Sequence, residues 1–178
     1  MDKTNSPWSV PVVVEDIPEA GLHIEIEAPA EARAGLAALA GLRELPQLTA
    51  VFDLTRQGEG VHVAGRVSAR VGQTCVVTLE PIENRLEEAV ELRFAPVAGP
   101  SATDSAAKGA RADDEPPEPL VGGTMDLGAV AAEFLLLGID PYPRKADAQF
   151  TPPAGSDSSA HPFAVLAALK KRLGGGQQ

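Results

Sequence analysis

Apolar and polar residues alternate along much of the first half of this chain. In "LHIEIEA" at 22–28, Leu22, Ile24 and Ile26 fall on one side and His23, Glu25 and Glu27 on the other. A period of two is the mark of a half-buried strand. The same period runs through "VHVAGRVSARV" at 61–71, by Val61, Val63, Gly65, Val67, Ala69 and Val71. Before it, "LTAVFDLTRQ" at 48–57 reads as a strand, and Gly58-Glu59-Gly60 reads as the turn that makes the two a hairpin. Gly65 inside a strand predicts a bulge or a close backbone approach. The β-branched run "VPVVV" at 10–14 predicts one more strand.

Two segments carry a helical period instead. "AEARAGLAALAGL" after Pro29 places Leu36, Leu39 and Leu42 at roughly helical spacing, with alanines between, and predicts a helix over 30–41. Proline suits the first turn of a helix, where its missing N–H has no intrahelical partner. "MDLGAVAAEFLLLGI" at 125–139 predicts a helix over 126–137, with Leu127, Val130, Ala131, Phe134 and Leu137 as its apolar stripe. Asp126 is a good N-cap there, because its carboxylate accepts from the free N–H groups of the first turn. "DPYPRK" then stops the helix.

"RLEEAVELRFAP" at 85–96 fits both periods. Leu86, Val90, Leu92 and Phe94 suit a strand if Glu88 sits at a sheet edge. Leu86, Ala89, Val90 and Arg93 suit a helix face. The β-branched and aromatic residues near Pro96 favour the strand.

Elsewhere the pattern fails. Residues 97–121 carry Pro, Ala, Ser and Asp and no aromatic residue, with acidic residues in excess. Such a stretch buries too little apolar surface to offset chain entropy and predicts a disordered acidic insert. "TPPAGSDSSA" predicts a second flexible stretch, and "HPFAVLAALKKRL" predicts a short amphipathic helix whose basic end complements the helix C-terminus. The expected organisation is one domain in two parts, 1–96 and 122–150, interrupted by the insert at 97–121 and followed by a flexible linker and helical tail at 151–178. The expected fold class is α+β: a mainly antiparallel sheet of about five or six strands, with two packed helices, the disordered insert and the C-terminal amphipathic helix.

Composition adds limits. In 178 residues there is 44% hydrophobic content but only 4% aromatic, so the core must rest on Val, Leu, Ile and Ala. A net charge of -10 repels a phosphate backbone and favours a basic protein partner. The N-terminal residues lack the apolar core of a signal peptide, and no apolar run reaches the ~20 residues that span a bilayer, which predicts a cytoplasmic protein with no membrane partner.

Candidate chemistry is sparse. One cysteine, Cys75, excludes an intrachain disulfide and a multi-cysteine zinc site in one chain. His23, His62 and His161 are scattered without ligand spacing. There is no phosphate-binding glycine loop and no nucleophile elbow. Cys75 as a nucleophile would need a base beside it, and His62 is the one candidate; a small buried cysteine is the simpler reading.

The order of motifs is more specific than any of them alone. "GRVSARVGQTCVVTLEPIENRLEEAVELRFAP" resembles the YceD family, also called large ribosomal RNA subunit accumulation proteins. In that family a strand feeds a "C-x-x-C-L-E-P" knuckle, and an alternating strand follows. Here Cys75 takes the first cysteine position, Thr78 the second, and Leu79, Glu80 and Pro81 follow. "MDLGAVAAEFLLLGIDPYPRK" resembles the family's later helix and proline turn through Asp126, Leu127, Glu133, Pro141 and Pro143. A threonine hydroxyl is a poor zinc ligand, so the departure at Thr78 argues for a structural turn whose shape Leu79 and Pro81 set. The resemblance implies a non-catalytic ribosome-biogenesis factor for large-subunit (23S) ribosomal RNA, with no catalytic residue, cofactor or metal. The family's gene often lies beside that of a small basic ribosomal protein. A basic large-subunit protein or pre-ribosomal particle is therefore the expected partner, with the outward Glu25, Glu27, Glu87 and Glu91 as candidate contacts. Direct RNA binding is the alternative, and an enzyme of unrecognised type the remaining one.

Overall fold

The computed structural model describes residues 6–96 and 117–150. All its helices and strands fall within the first of two units, Met1–Lys145; of the second, Ala146–Gln178, residues 146–150 are described and hold neither. The expected insert up to residue 116 and the amphipathic helix of 161–173 lie outside the described residues.

The strands are β1 (Pro11–Val13), β2 (Leu22–Glu27), β3 (Glu44–Gln57), β4 (Gly60–Thr74), β5 (Pro81–Pro96), β6 (Glu118–Leu120) and β7 (Thr124–Asp126); the helices are α1 (Ala30–Ala40) and α2 (Leu127–Gly138). The main sheet has the order β2-β3-β4-β5-β6, antiparallel except for β5 with β6, and β1 pairs with β7 in a two-stranded sheet. The class is α+β as the periodicity predicts, and the main sheet has five strands, within the expected five or six; the β1–β7 pair is a separate small sheet. β6 corrects the extent of the insert: Glu118–Leu120 form a strand, because Leu120 is buried and the chain there meets the end of β5 at Phe94–Pro96.

The doubtful segment 85–96 lies within β5, and Glu88 does stand at an edge, since β6 covers only the last residues of that strand. The β3–β4 turn is tighter than expected. Gly60 pairs with Gln57, leaving Gly58 and Glu59 as the two turn residues, and Gly58 supplies the φ of 62° that such turns need. β3 starts at Glu44, and its register shifts between Glu44 and Gln47, around Pro46. Gly65 sits in unbroken register opposite Phe52, so there is no bulge. A β-carbon there would collide with the Val51 carbonyl and press on the Phe52 ring, so the glycine serves a close approach.

The core lies on the inward face of the sheet, from Leu48, Phe52 and Leu54 on β3 to Val63, Val67 and Val71 on β4 and Leu86 and Val90 on β5. Ala32, Leu36 and Ala37 of α1 close one part of it. Leu39 is 64% exposed, which corrects the expected stripe: each step of three residues lags the helical turn by about 60°, so Leu36, Leu39 and Leu42 drift around the helix. Pro29 is the N-cap of α1 rather than a first-turn residue, and Gly41 closes the helix in the left-handed conformation. In α2 the buried face is Leu127, Gly128, Val130, Ala131, Ala132 and Leu135, while Leu137 is 73% exposed. The helix turns this way because Gly128 lets the backbone of Trp8–Val10 lie against it; a β-carbon there would stand 2.9 Å from Trp8 O and from Val10 N.

Candidate functional site

β4 and β5 form a long hairpin whose last pair is Thr74 with Pro81, so the motif residues Cys75, Thr78, Leu79 and Glu80 all lie in its six-residue loop, 75–80. The loop is held by backbone bonds. Cys75 N–H donates to Glu80 O at 2.9 Å, and Leu79 N–H to Cys75 O at 2.9 Å. The Cys75 side chain is fully buried and serves as the acceptor at the loop's centre. Thr78 N–H reaches Sγ at 3.4 Å, and Lys145 N–H reaches it at 3.5 Å from the far end of the chain segment after α2.

These donors decide the thiol's chemistry. Burial alone would push the Cys75 thiol up. The Thr78 hydroxyl first, then the N–H groups of Lys145, Thr78 and Val77, outweigh burial and hold it down from 9.0 to about 6. Thr78 is therefore a hydrogen-bond donor to sulfur. His62 cannot act on this thiol: it sits near the opposite end of β4, about 40 Å away at strand rise. Leu79 has a φ of 60° and a side chain 76% exposed, so it shapes the loop through its backbone and not by packing. Pro81 is exposed and opens β5.

Of the second motif only the proline turn meets this loop, through Pro143; Asp126, Leu127 and Glu133 lie along α2. Asp126 caps α2, its Oδ1 accepting from Ala129 N–H at 3.1 Å and Val10 N–H at 2.8 Å, and its Oδ2 from Ser9 Oγ at 2.6 Å. It thus ties the N-terminal segment to the helix. Leu127 is buried and Glu133 exposed. After α2, Pro141 is exposed and Pro143 buried, and Pro143 O accepts from Val76 N–H at 2.9 Å. Lys145 Nζ bonds Glu80 Oε2 at 3.1 Å. Gln73, buried at the end of β4, donates to Asp140 O at 2.8 Å and accepts from Asn84 at 3.0 Å. A groove beside these residues is bordered by Asn84, Arg85, Gly138 and Arg144.

The four candidate glutamates all face solvent, but they are not equivalent. Glu87 is bonded by Arg66 at 3.0 Å and Glu91 by His62 at 3.4 Å, both across strands. Glu25 and Glu27 stand opposite Val51 and Thr49 and have no ion-pair partner among the described residues. Their exposure and spacing were legible in the alternation; that Arg66 and His62 lie diagonally across from the other pair was not, because register is set by the fold.

Among the described residues no group of three or more His, Cys, Asp or Glu stands together as a metal ion would require. Among them, too, no helix is long and apolar enough to cross a membrane. The family model described as large ribosomal RNA subunit accumulation protein YceD matches residues 63–170, which takes in the Cys75 loop, β5, α2 and the proline turn. No curated protein and no solved structure matches the chain.

Proposed function

The chain belongs to the YceD family of large ribosomal RNA subunit accumulation proteins, and we propose that it serves that accumulation without catalysis, by holding a basic large-subunit ribosomal protein or a particle that contains one. The observation that carries this reading is the pair Glu25 and Glu27, exposed on a strand edge with no ion-pair partner among the described residues, in a chain of net charge -10. Uncompensated charge of one sign steers a partner of the other sign and speeds encounter. Cys75 is fully buried, with its sulfur taken up by the N–H groups of Thr78 and Lys145, which favours a structural thiol and binding over covalent chemistry.

A second reading, direct contact with ribosomal RNA, draws on Arg85 and Arg144. Both border the groove between β5 and the segment after α2, and among the described residues no carboxylate pairs with either. Pull-down of purified large-subunit proteins and of naked ribosomal RNA, each across a salt series, separates the two. Capture of basic proteins in preference to RNA supports the first reading. The converse supports the second. A sucrose-gradient profile from cells lacking the gene tests the shared premise: large-subunit particles should be depleted.

A further inference from the structure

The open edge of β2 offers more than charge. β2 is the first strand of the main sheet, and among the described residues nothing pairs with its outer side. In an antiparallel pair, alternate residues direct both backbone groups at the neighbour and the rest direct both away. Ala28 N–H donates to Leu48 O at 3.0 Å, continuing the register in which Glu27 faces Thr49. Residues 22, 24 and 26 therefore bond β3. His23, Glu25 and Glu27 each turn one N–H and one C=O toward the open side.

The same three residues present their side chains on the solvent face. His23 is held by Asp53 at 2.7 Å, which leaves Glu25 and Glu27 as the available charges. On the other face Leu22, Ile24 and Ile26 are only partly buried, because α1 packs on β3 and stops short of covering them. Backbone donors and acceptors, two carboxylates on one face and an incomplete apolar row on the other are thus aligned along one strand.

The opposite side of the sheet is built differently. On β5 the inward set includes Glu88, whose carboxylate lies against Gly138 of α2, and β6 covers the end of the strand. An inward-pointing charge and a covering element are what protect an edge from pairing. β2 has neither. Its glutamates would oppose the glutamates of a second copy of this chain, so the charge discriminates against self-pairing and in favour of a basic strand.

We propose that the β2 edge is a strand-addition site for an extended basic segment of the partner, with Lys or Arg alternating with apolar residues. The inference rests on the reading above that the partner is a basic ribosomal protein. The added strand would bond His23, Glu25 and Glu27 through its backbone. Its cations would lie beside Glu25 and Glu27, and its apolar residues would complete the row of Leu22, Ile24 and Ile26.

The test uses the full chain and an eight-residue capped peptide of alternating Val and Lys. Amide exchange read by NMR should slow at His23, Glu25 and Glu27 when the peptide binds. N-methylation of the peptide on its edge-facing residues should weaken binding about tenfold or more, and a Val-Glu peptide should not bind. Glu25→Pro removes one outward N–H without costing a bond to β3, so it should fold and lose the peptide. Unchanged exchange at the three amides overturns the site, as does equal binding of the N-methylated peptide, whatever the variant does. Sedimentation with large-subunit particles separates this inference from the reading it rests on. If Glu25→Pro sediments with them like the parent, the edge site is overturned and the reading stands. If the parent fails to sediment with them, the reading falls, while protection of the three amides by the peptide still supports the edge.

Discussion

The backbone N–H of Val76 donates to the carbonyl oxygen of Pro143 at 2.9 Å. With the bond from Lys145 N–H to Cys75 Sγ, it clamps the segment after α2 onto the β4–β5 loop. The proline turn after α2 and the Cys75 loop are therefore two halves of one structural element, and its centre is a sulfur that accepts hydrogen bonds.

The thiol's ionisation should register this. Its folded value of about 6 lies below the usual 9.0, so ionisation favours the folded chain. That gain is complete above the unfolded value, shrinks as pH falls toward about 6 and is gone below it. Urea denaturation from pH 6 to 9 should show the parent gaining stability relative to Cys75→Ser as pH rises. Thr78→Val removes the largest single cause and should raise the thiol value, read by thiolate absorbance. A parent-minus-variant difference that is flat with pH would contradict this.

Leu79 should be the cheapest place to gain stability. A leucine in the left-handed region costs about 1 kcal/mol, and this side chain is 76% exposed, so little packing is lost by removing it. Leu79→Gly should raise the thermal midpoint by a few degrees. A lowered midpoint would show that the side chain holds the loop after all.

Asp126 does more than cap a helix. Asp126→Ala should cost about 2–3 kcal/mol in chemical denaturation, since it removes the cap and leaves Val10 N–H without its acceptor. Asp126→Asn keeps a capping oxygen and should cost less. Equal losses in the two variants would place the effect in the charge rather than in the bonds.

Steering by the edge glutamates has a signature in rate. Glu25→Lys with Glu27→Lys should slow association with basic large-subunit proteins about tenfold at low salt, in stopped-flow measurements, and the difference should shrink as salt screens exposed charges over ~8 Å. Glu91→Gln should matter less, because His62 already faces that carboxylate. Equal association rates for the parent and the double variant at low salt would refute the steering role.

Much of this architecture is local and could be read from the chain alone. Alternation through Ile24, Val63 and Val67 marks strands because a pleated backbone sends successive side chains to opposite faces. Asp126 announces a helix start because its carboxylate meets N–H groups three residues on. The motif residues around Cys75 and Pro143 pointed to the family for the same reason, being short and contiguous.

What long-range packing added has a common physical origin: nothing in a residue's near neighbours records what will face it across a sheet or a helix. Leu39 and Leu137 read as core and are exposed, because the rotation of each helix is set by the surface it lies on. Glu118–Leu120 read as insert and pair with β5, because three residues need a neighbouring strand to become one. Glu87 and Glu25 are alike in sequence pattern, yet one meets Arg66 and the other Val51, since the partner is chosen by register. The bond from Lys145 to the sulfur of Cys75 belongs to the same class, formed only when two distant turns are brought together.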